Sequence, residues 1–285
     1  MLSKNTATFL GCDAEYADAN IVLFGAPYDS TTSYRPGARF GSQAMRNESF
    51  ALELYSPYQH RDLSELSVCD SGDLELPFGE SELMLTAIEK CTGTILHDGK
   101  LPVLLGGEHS VTLGAIRAMV HKYTNLQIIH IDAHCDLRND YLGARYSHGS
   151  VMRRAWELVG DGRIHQFGIR SGDLEEYNWA AKGHVRLHGF DFSHLMATIA
   201  EIGNHPVYLT IDLDVLDPSV FPGTGTPEAG GVNFLQLLDA VLNICRQTHV
   251  VGCDLVELAP QLDPSGISTV TACKLLRELL LALKL

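Results

Sequence analysis

Three things are scarce in this 285-residue chain: long apolar runs, paired cysteines and positive charge. No stretch approaches the roughly 18 consecutive apolar residues that a membrane-spanning helix needs. The opening segment MLSKNTATFLGCDAEYADAN carries acidic residues early and has no long apolar centre, so it does not read as a secretory signal. The seven cysteines (Cys12, Cys69, Cys91, Cys135, Cys245, Cys253 and Cys273) are odd in number, and none stands in a CxxC pair. Neither a disulfide framework nor a thiolate zinc site is suggested, and a reducing, cytoplasmic setting without a membrane partner is expected. Lys and Arg total 21 against 35 Asp and Glu, a net charge of −14 with His neutral. Phosphate backbones need a basic surface, so nucleic acid is disfavoured as a partner. A small cationic substrate suits the charge better, although solubility alone accounts for such a balance in many enzymes.

What is present is an ordinary globular composition, 45% hydrophobic and 20% charged. Short runs that are apolar on both faces lie at 19–27, 101–107, 126–132, 163–169, 206–212 and 249–255. Helical patterns occupy 81–98, 110–123, 149–159, 194–203, 233–247 and 267–283, with Ser110 and Ser268 as candidate caps. This alternation predicts an α/β fold with a mainly parallel sheet covered by helices. With no repeat and no linker, one domain over 1–285 is expected. Four runs carry their unusual residues at the C-terminal end: Glu108 and His109, Asp132 onward, Asp212 onward, and Asp254 to Glu257. Open α/β sheets bind ligands in the crevice beyond those ends, so four distant segments point to one site.

In IIHIDAHCDL (128–137), extended alternation would put Asp132, His134 and Asp136 on one side, with Ala133 and Cys135 on the other. Three ligands are thereby grouped and the cysteine is excluded, which argues against a Cys–His nucleophile. In TIDLDVLDP (210–218), Asp212 and Asp214 share a face, and Asp217 before Pro218 reads as a turn. GGEHS supplies His109 after two glycines. Neighbouring carboxylates repel unless a cation lies between them. Two His and four Asp without a thiolate suit Mn²⁺, with Mg²⁺ and Fe²⁺ less well matched. The set is too large for one tetrahedral ion and suits two divalent ions roughly 3.5 Å apart. Such a pair turns a bridging water into a hydroxide nucleophile near neutral pH, which is the chemistry of metal-assisted hydrolysis.

GGEHS, DAHCD, SHGSVMRRA (147–155) and DLDVLDPSVFPGTGTPEAGG (212–231) resemble, in order, the signature blocks of the ureohydrolase family of arginases and agmatinases. GAPYDSTTSYRPGARFGSQAMR (25–46) resembles the N-terminal block of the agmatinase branch. The resemblance implies a three-layer α/β/α fold and two Mn²⁺ per chain. His109, Asp132, Asp136 and Asp212 would hold one ion, and Asp132, His134, Asp212 and Asp214 the other. Asp136 would also carry a proton to the leaving amine. His148 matches the family's mobile proton shuttle, for which a near-neutral imidazole is suited. Glu257, in DLVELAP, matches the carboxylate that holds the substrate guanidinium, and Thr226 a hydroxyl beside the site. The family also implies a homo-oligomer, a trimer or hexamer.

Where arginases carry an Asn two residues after the third ligand of DAHxD, this chain has Arg138, and the loop LRNDYLGARYS (137–147) lacks their Ser/Thr-rich pattern. Agmatine, cleaved to urea and putrescine, therefore fits better than arginine. N1-aminopropylagmatine is a longer alternative. Arg138 and Arg145 could instead hold the carboxylate of guanidinobutyrate or formiminoglutamate, unless they pair with Asp140 or a neighbouring subunit. A polyamine deacetylase on the same fold is the rival from another class, expected to use a single Zn²⁺ and no guanidinium-binding Glu.

Overall fold

The computed structural model describes residues 7–284. Among the described residues, ten strands are interspersed with eight helices. The strands are β1 Ile21–Ala26, β2 Tyr55–Ser56, β3 Arg61–Asp62, β4 Val68–Asp73, β5 Leu101–Gly106, β6 Gln127–Ile131, β7 Ile164–Phe167, β8 Arg186–Leu187, β9 Pro206–Asp212 and β10 His249–Val256. The helices are α1 Gly41–Glu48, α2 Ser81–His97, α3 Thr112–Lys122, α4 Val151–Val159, α5 Leu174–Ala180, α6 Leu195–Ile202, α7 Phe234–Gln247 and α8 Ile267–Ala282. Eight strands form one sheet in the order β4-β1-β5-β10-β9-β6-β7-β8, and β2-β3 is a small separate hairpin. Every pairing in the large sheet is parallel.

Two cores, one on each face, show why consecutive apolar residues were needed. Ile21, Leu23, Ile129 and Leu209 point to the cluster built with α6, α7 and α8. Val22, Phe24, Ile128 and Tyr208, one residue out of step, point to the cluster built with α2, α3 and α4. Each buried aliphatic side chain contributes roughly 1.5–3 kcal/mol of transfer free energy. The result is the three-layer α/β/α sandwich anticipated for the sequence.

Elements that sequence patterning missed are short or polar. Strand β4, VCDSGD, is polar because it borders the sheet and its Asp70 and Asp73 both bind the buried Arg46 of α1. Neither expected serine cap is one. Ser110 lies in a 3₁₀ turn before α3 and gives its hydroxyl to Glu108. Ser268 lies inside α8, accepts from the Gly223 amide and gives its hydroxyl to Asp263.

The loops after β1 and β5 are locked together. The Gly107 amide donates to the Ala26 carbonyl at 2.9 Å and the Glu108 amide to the Tyr28 carbonyl at 2.7 Å. A Cβ on Gly107 would stand 1.9 Å from that Tyr28 oxygen, so only glycine allows the approach. Gly107→Ala is expected to cost at least about 2 kcal/mol, within the range of overpacking penalties. Urea denaturation checks this, and a loss under about 0.5 kcal/mol would mean the contact yields easily.

Candidate metal centre

β5, β10, β9 and β6 are adjacent at the middle of the sheet. Their parallel C-terminal ends deliver His109, Glu257, Asp212 and Asp132 to one place, with Asp214, His134 and Asp136 following in the loops. All of these except Asp132 and Asp214, which lie deeper, border a cavity of about 290 Å³.

Local backbone explains how each side chain arrives. Strand β6 stops at Ile131, so the alternation invoked for residues 132–136 is not that of a regular strand. Ala133 and His134 instead run beside Ser171, with Cys135 N–H donating to the Ser171 carbonyl at 2.9 Å, and Asp136 then adopts a left-handed φ of 54°. Asp132, His134 and Asp136 nonetheless meet, while Cys135 is buried in the apolar core of the helical layer and also borders the cavity. Asp214 lies in a 3₁₀ turn rather than on β9, and its N–H donates to Asp212 Oδ1 at 2.9 Å. Glu257 also sits at positive φ, 65°, and its Oε1 accepts the His109 amide at 2.8 Å.

His109 Nδ1 lies 3.0 Å from Asp132 Oδ2, 3.2 Å from Asp136 Oδ2 and 3.2 Å from Asp212 Oδ2. His134 Nδ1 lies 3.0 Å from Asp214 Oδ2 and 3.5 Å from Asp132 Oδ1. Asp132 therefore gives one oxygen to each half of the cluster. Asp212 faces His109 through Oδ2 and its other oxygen accepts the Asp214 amide, so of the two carboxylates expected to bridge, Asp132 alone lies beside both histidines. Among the described residues no Lys or Arg side chain pairs with these four aspartates; their ionic neighbours are histidines.

The donor set fits a divalent cation. His109 Nε2 is 2.9 Å from the Thr210 hydroxyl, which leaves the buried Nδ1 without a hydrogen-bond partner and aimed at three carboxylate oxygens. His130 lies one layer deeper, 2.8 Å from Asp132 Oδ2 through Nε2, and is held on its other nitrogen by Gln166 at 2.9 Å. That contact orients Asp132, and His130 also stands with His109, Asp132 and Asp136 in one group close enough to share an ion. Burial and the Asp132 charge raise Asp136 to about 7, and burial with Asp214 and Asp132 raises Asp212 strongly. Although burial opposes it, the adjacent His130, His109 and His134 imidazoles hold Asp132 far below the ordinary carboxylate range. Like charges this close cannot all ionise without a cation.

At the mouth, His148 is bracketed by Thr31 and Ser33, and Tyr141 packs edge-on at 5.5 Å. Burial, then the nearby His134 and His109, bring His148 down to about 4 rather than the near-neutral value expected. Thr226 lines the cavity with its hydroxyl 3.4 Å from Asp214 Oδ2. Asp217 takes the turn role expected, accepting the amides of Ser219, Gly230 and Gly231. Arg138 does not pair with Asp140: it reaches Asp173 at 2.9 Å and Glu176 at 3.7 Å, lying over the Tyr141 ring. Arg145 pairs with Glu157 at 2.8 Å. Asp173 and Glu176 went unrecognised as cavity residues, although their D-x-x-E spacing is the capping box that starts α5.

Mn²⁺ is expected to raise the thermal midpoint of the wild-type chain and of Cys135→Ala, but not of Asp132→Asn. Saturation at 100 times Kd corresponds to about 2.7 kcal/mol. Differential scanning calorimetry with and without the ion decides it. Loss of the shift in Cys135→Ala would place the thiol among the ligands.

Known proteins resemble the chain over nearly its whole length. A family model described as the arginase family matches residues 19–282. The agmatinase of Bacillus subtilis (strain 168) is 46% identical, with 96% of this chain and 95% of its own length covered. The N(1)-aminopropylagmatine ureohydrolase of Thermococcus kodakarensis is 38% identical, covering 90% of this chain and 88% of that protein. The solved agmatine ureohydrolase of Thermoplasma volcanium superposes with a TM-score of 0.90 at 32% identity, over 98% of this chain and 94% of that one. The chain belongs to the arginase family, on the agmatinase branch of the ureohydrolases, which are hydrolases of carbon–nitrogen bonds in linear amidines.

Proposed function

We propose that this chain hydrolyses agmatine to urea and putrescine with two Mn²⁺ held by His109, Asp132, His134, Asp136, Asp212 and Asp214. The observation that carries the reading is the buried aspartate cluster with no Lys or Arg counterion among the described residues, divided by Asp132 into two halves. In the assignment carried from the family, His109, Asp132, Asp136 and Asp212 serve one ion and Asp132, His134, Asp212 and Asp214 the other. When bound, such ions supply Lewis acidity and an activated water. Four carboxylates weigh against a single-zinc deacetylase, whose ion needs fewer.

The chain's own groups supply the rest. Guanidinium is a planar, resonance-stabilised cation and a poor electrophile, so its carbon must be fixed in place. Glu257, buried beside the cavity with Oε1 already accepting the His109 amide, offers its remaining lone pairs for a charge-assisted bond to the guanidinium. Thr226 offers a hydroxyl at the same wall. Asp136 carries a proton to the departing amine, and His148 at the mouth exchanges protons with solvent.

The tail of the substrate is constrained by charge. A carboxylate-bearing guanidine needs a cation to receive it, and Arg138 and Arg145 are both engaged by acidic partners within the chain. Arg138 lines the cavity together with Asp173 and Glu176, two acids to one base, so this wall is net negative and favours an amine-terminated guanidine. N1-aminopropylagmatine keeps that charge and is the nearest alternative. Assembly into a trimer or hexamer belongs to the same reading, and light scattering that found only monomer would remove that part.

Urea release with Mn²⁺ should be fastest with agmatine or aminopropylagmatine, and at least about 100-fold slower with arginine or guanidinobutyrate, the order of discrimination that unpaired polar groups produce. Formiminoglutamate, followed by formamide release, should be equally poor. Arginine turning over faster than agmatine would refute the tail argument.

A further inference from the structure

Glu108 is fully buried, pairs with no Lys or Arg among the described residues and has no part in the mechanism above. Its carboxylate collects donors from two loops. Oε2 accepts the Thr31 amide at 2.8 Å, and Oε1 accepts the Thr31 hydroxyl at 2.5 Å and the Ser110 hydroxyl at 2.5 Å. The Thr32 hydroxyl approaches Oε2 at 3.4 Å. Thr31 in turn touches His148 twice. Its oxygen accepts the His148 amide at 3.1 Å and lies 3.3 Å from the ring Nδ1.

A hydroxyl has one proton to give. With that proton directed at Glu108, the Thr31 oxygen can only accept, so an imidazole bonded to it must carry its hydrogen on Nδ1. We infer that Glu108, acting through Thr31, is a positioning residue that fixes His148 as the Nδ1–H tautomer, leaving Nε2 as the atom that takes up and releases protons. Nε2 faces the side where exchange is possible, 3.2 Å from the exposed Ser33 hydroxyl. The inference rests on the shuttle role proposed above for His148. It explains why a buried acid immediately precedes the ligand His109: one loop sets both the metal-facing imidazole and, through Thr31, the solvent-facing one.

The accounting also dictates what an amide would do. Both carboxylate oxygens serve Thr31, one the amide and one the hydroxyl. In Glu108→Gln the side-chain NH₂ must meet one of them, and only the hydroxyl can turn round to accept. The Thr31 proton is then free for His148 Nδ1, and the tautomer inverts to Nε2–H.

Long-range ¹H–¹⁵N correlation on the full chain, labelled at histidine and stripped of metal by a chelator, reads the tautomer directly. A His148→Gln spectrum supplies the assignment. Wild type and Thr31→Ser should show the Nδ1–H form. Glu108→Gln should show Nε2–H, and Thr31→Val should lose the bias. In urea release, Thr31→Val and Glu108→Gln should lower kcat about 10- to 100-fold, part of what a positioned proton-transfer group supplies, with KM within about twofold and Thr31→Ser restoring the rate. A wild-type Nε2–H form, or a tautomer unchanged in both Thr31→Val and Glu108→Gln, would overturn the inference. The spectra decide it even if no guanidine is turned over, an outcome that would instead count against the proposed function.

Discussion

Everything in the centre of this molecule depends on the compensation of negative charge. Four aspartates with low exposure stand within hydrogen-bonding distance of two imidazole nitrogens, beyond the ends of four adjacent strands. Burying one uncompensated carboxylate costs several kcal/mol, and burying four together multiplies that cost through mutual repulsion. The histidines cannot offset it alone. His109 presents a single nitrogen to three oxygens, and its other nitrogen is taken by Thr210. A cation is the species that satisfies the geometry.

The fold holds that cluster in place against its own repulsion. Parallel strands set all the carboxyl ends on one edge of the sheet, and helices on both faces bury the strands so that their ends are rigid. The left-handed turns at Asp136 and Glu257 are residues in a sparsely populated conformation, tolerated where surrounding structure over-determines them. Both lie at the cavity. Outer contacts, His130 and Gln166 behind Asp132, Ala133 N–H behind Asp214, carry the positioning one shell further.

Much of this was legible in the sequence. The six long apolar runs and six long helices fall close to their expected places because double-sided burial leaves a strong signature. The candidate site residues were legible because polar groups at strand ends break that signature, and because their order matches the ureohydrolase blocks. What was not legible follows physical lines as well. Strand β4 is polar because it serves Arg46, and β8 is two residues long. The separation of Cys135 from the Asp132–His134–Asp136 group was argued from an alternation that the backbone does not keep, since β6 ends at Ile131. The partners of Arg138 come from α5, some 35 residues on, a distance in sequence that no local pattern spans. The contact of Thr31 with His148 closes over 117 residues and is equally invisible to local reading.

The central claim is that two divalent ions, not one, complete the aspartate cluster. Equilibrium dialysis against Mn²⁺ followed by elemental analysis of the full chain tests it most directly. The account predicts two Mn²⁺ per chain, both lost when Asp132 becomes Asn. A single ion per chain at saturation, or one tightly held Zn²⁺ in its place, would contradict it.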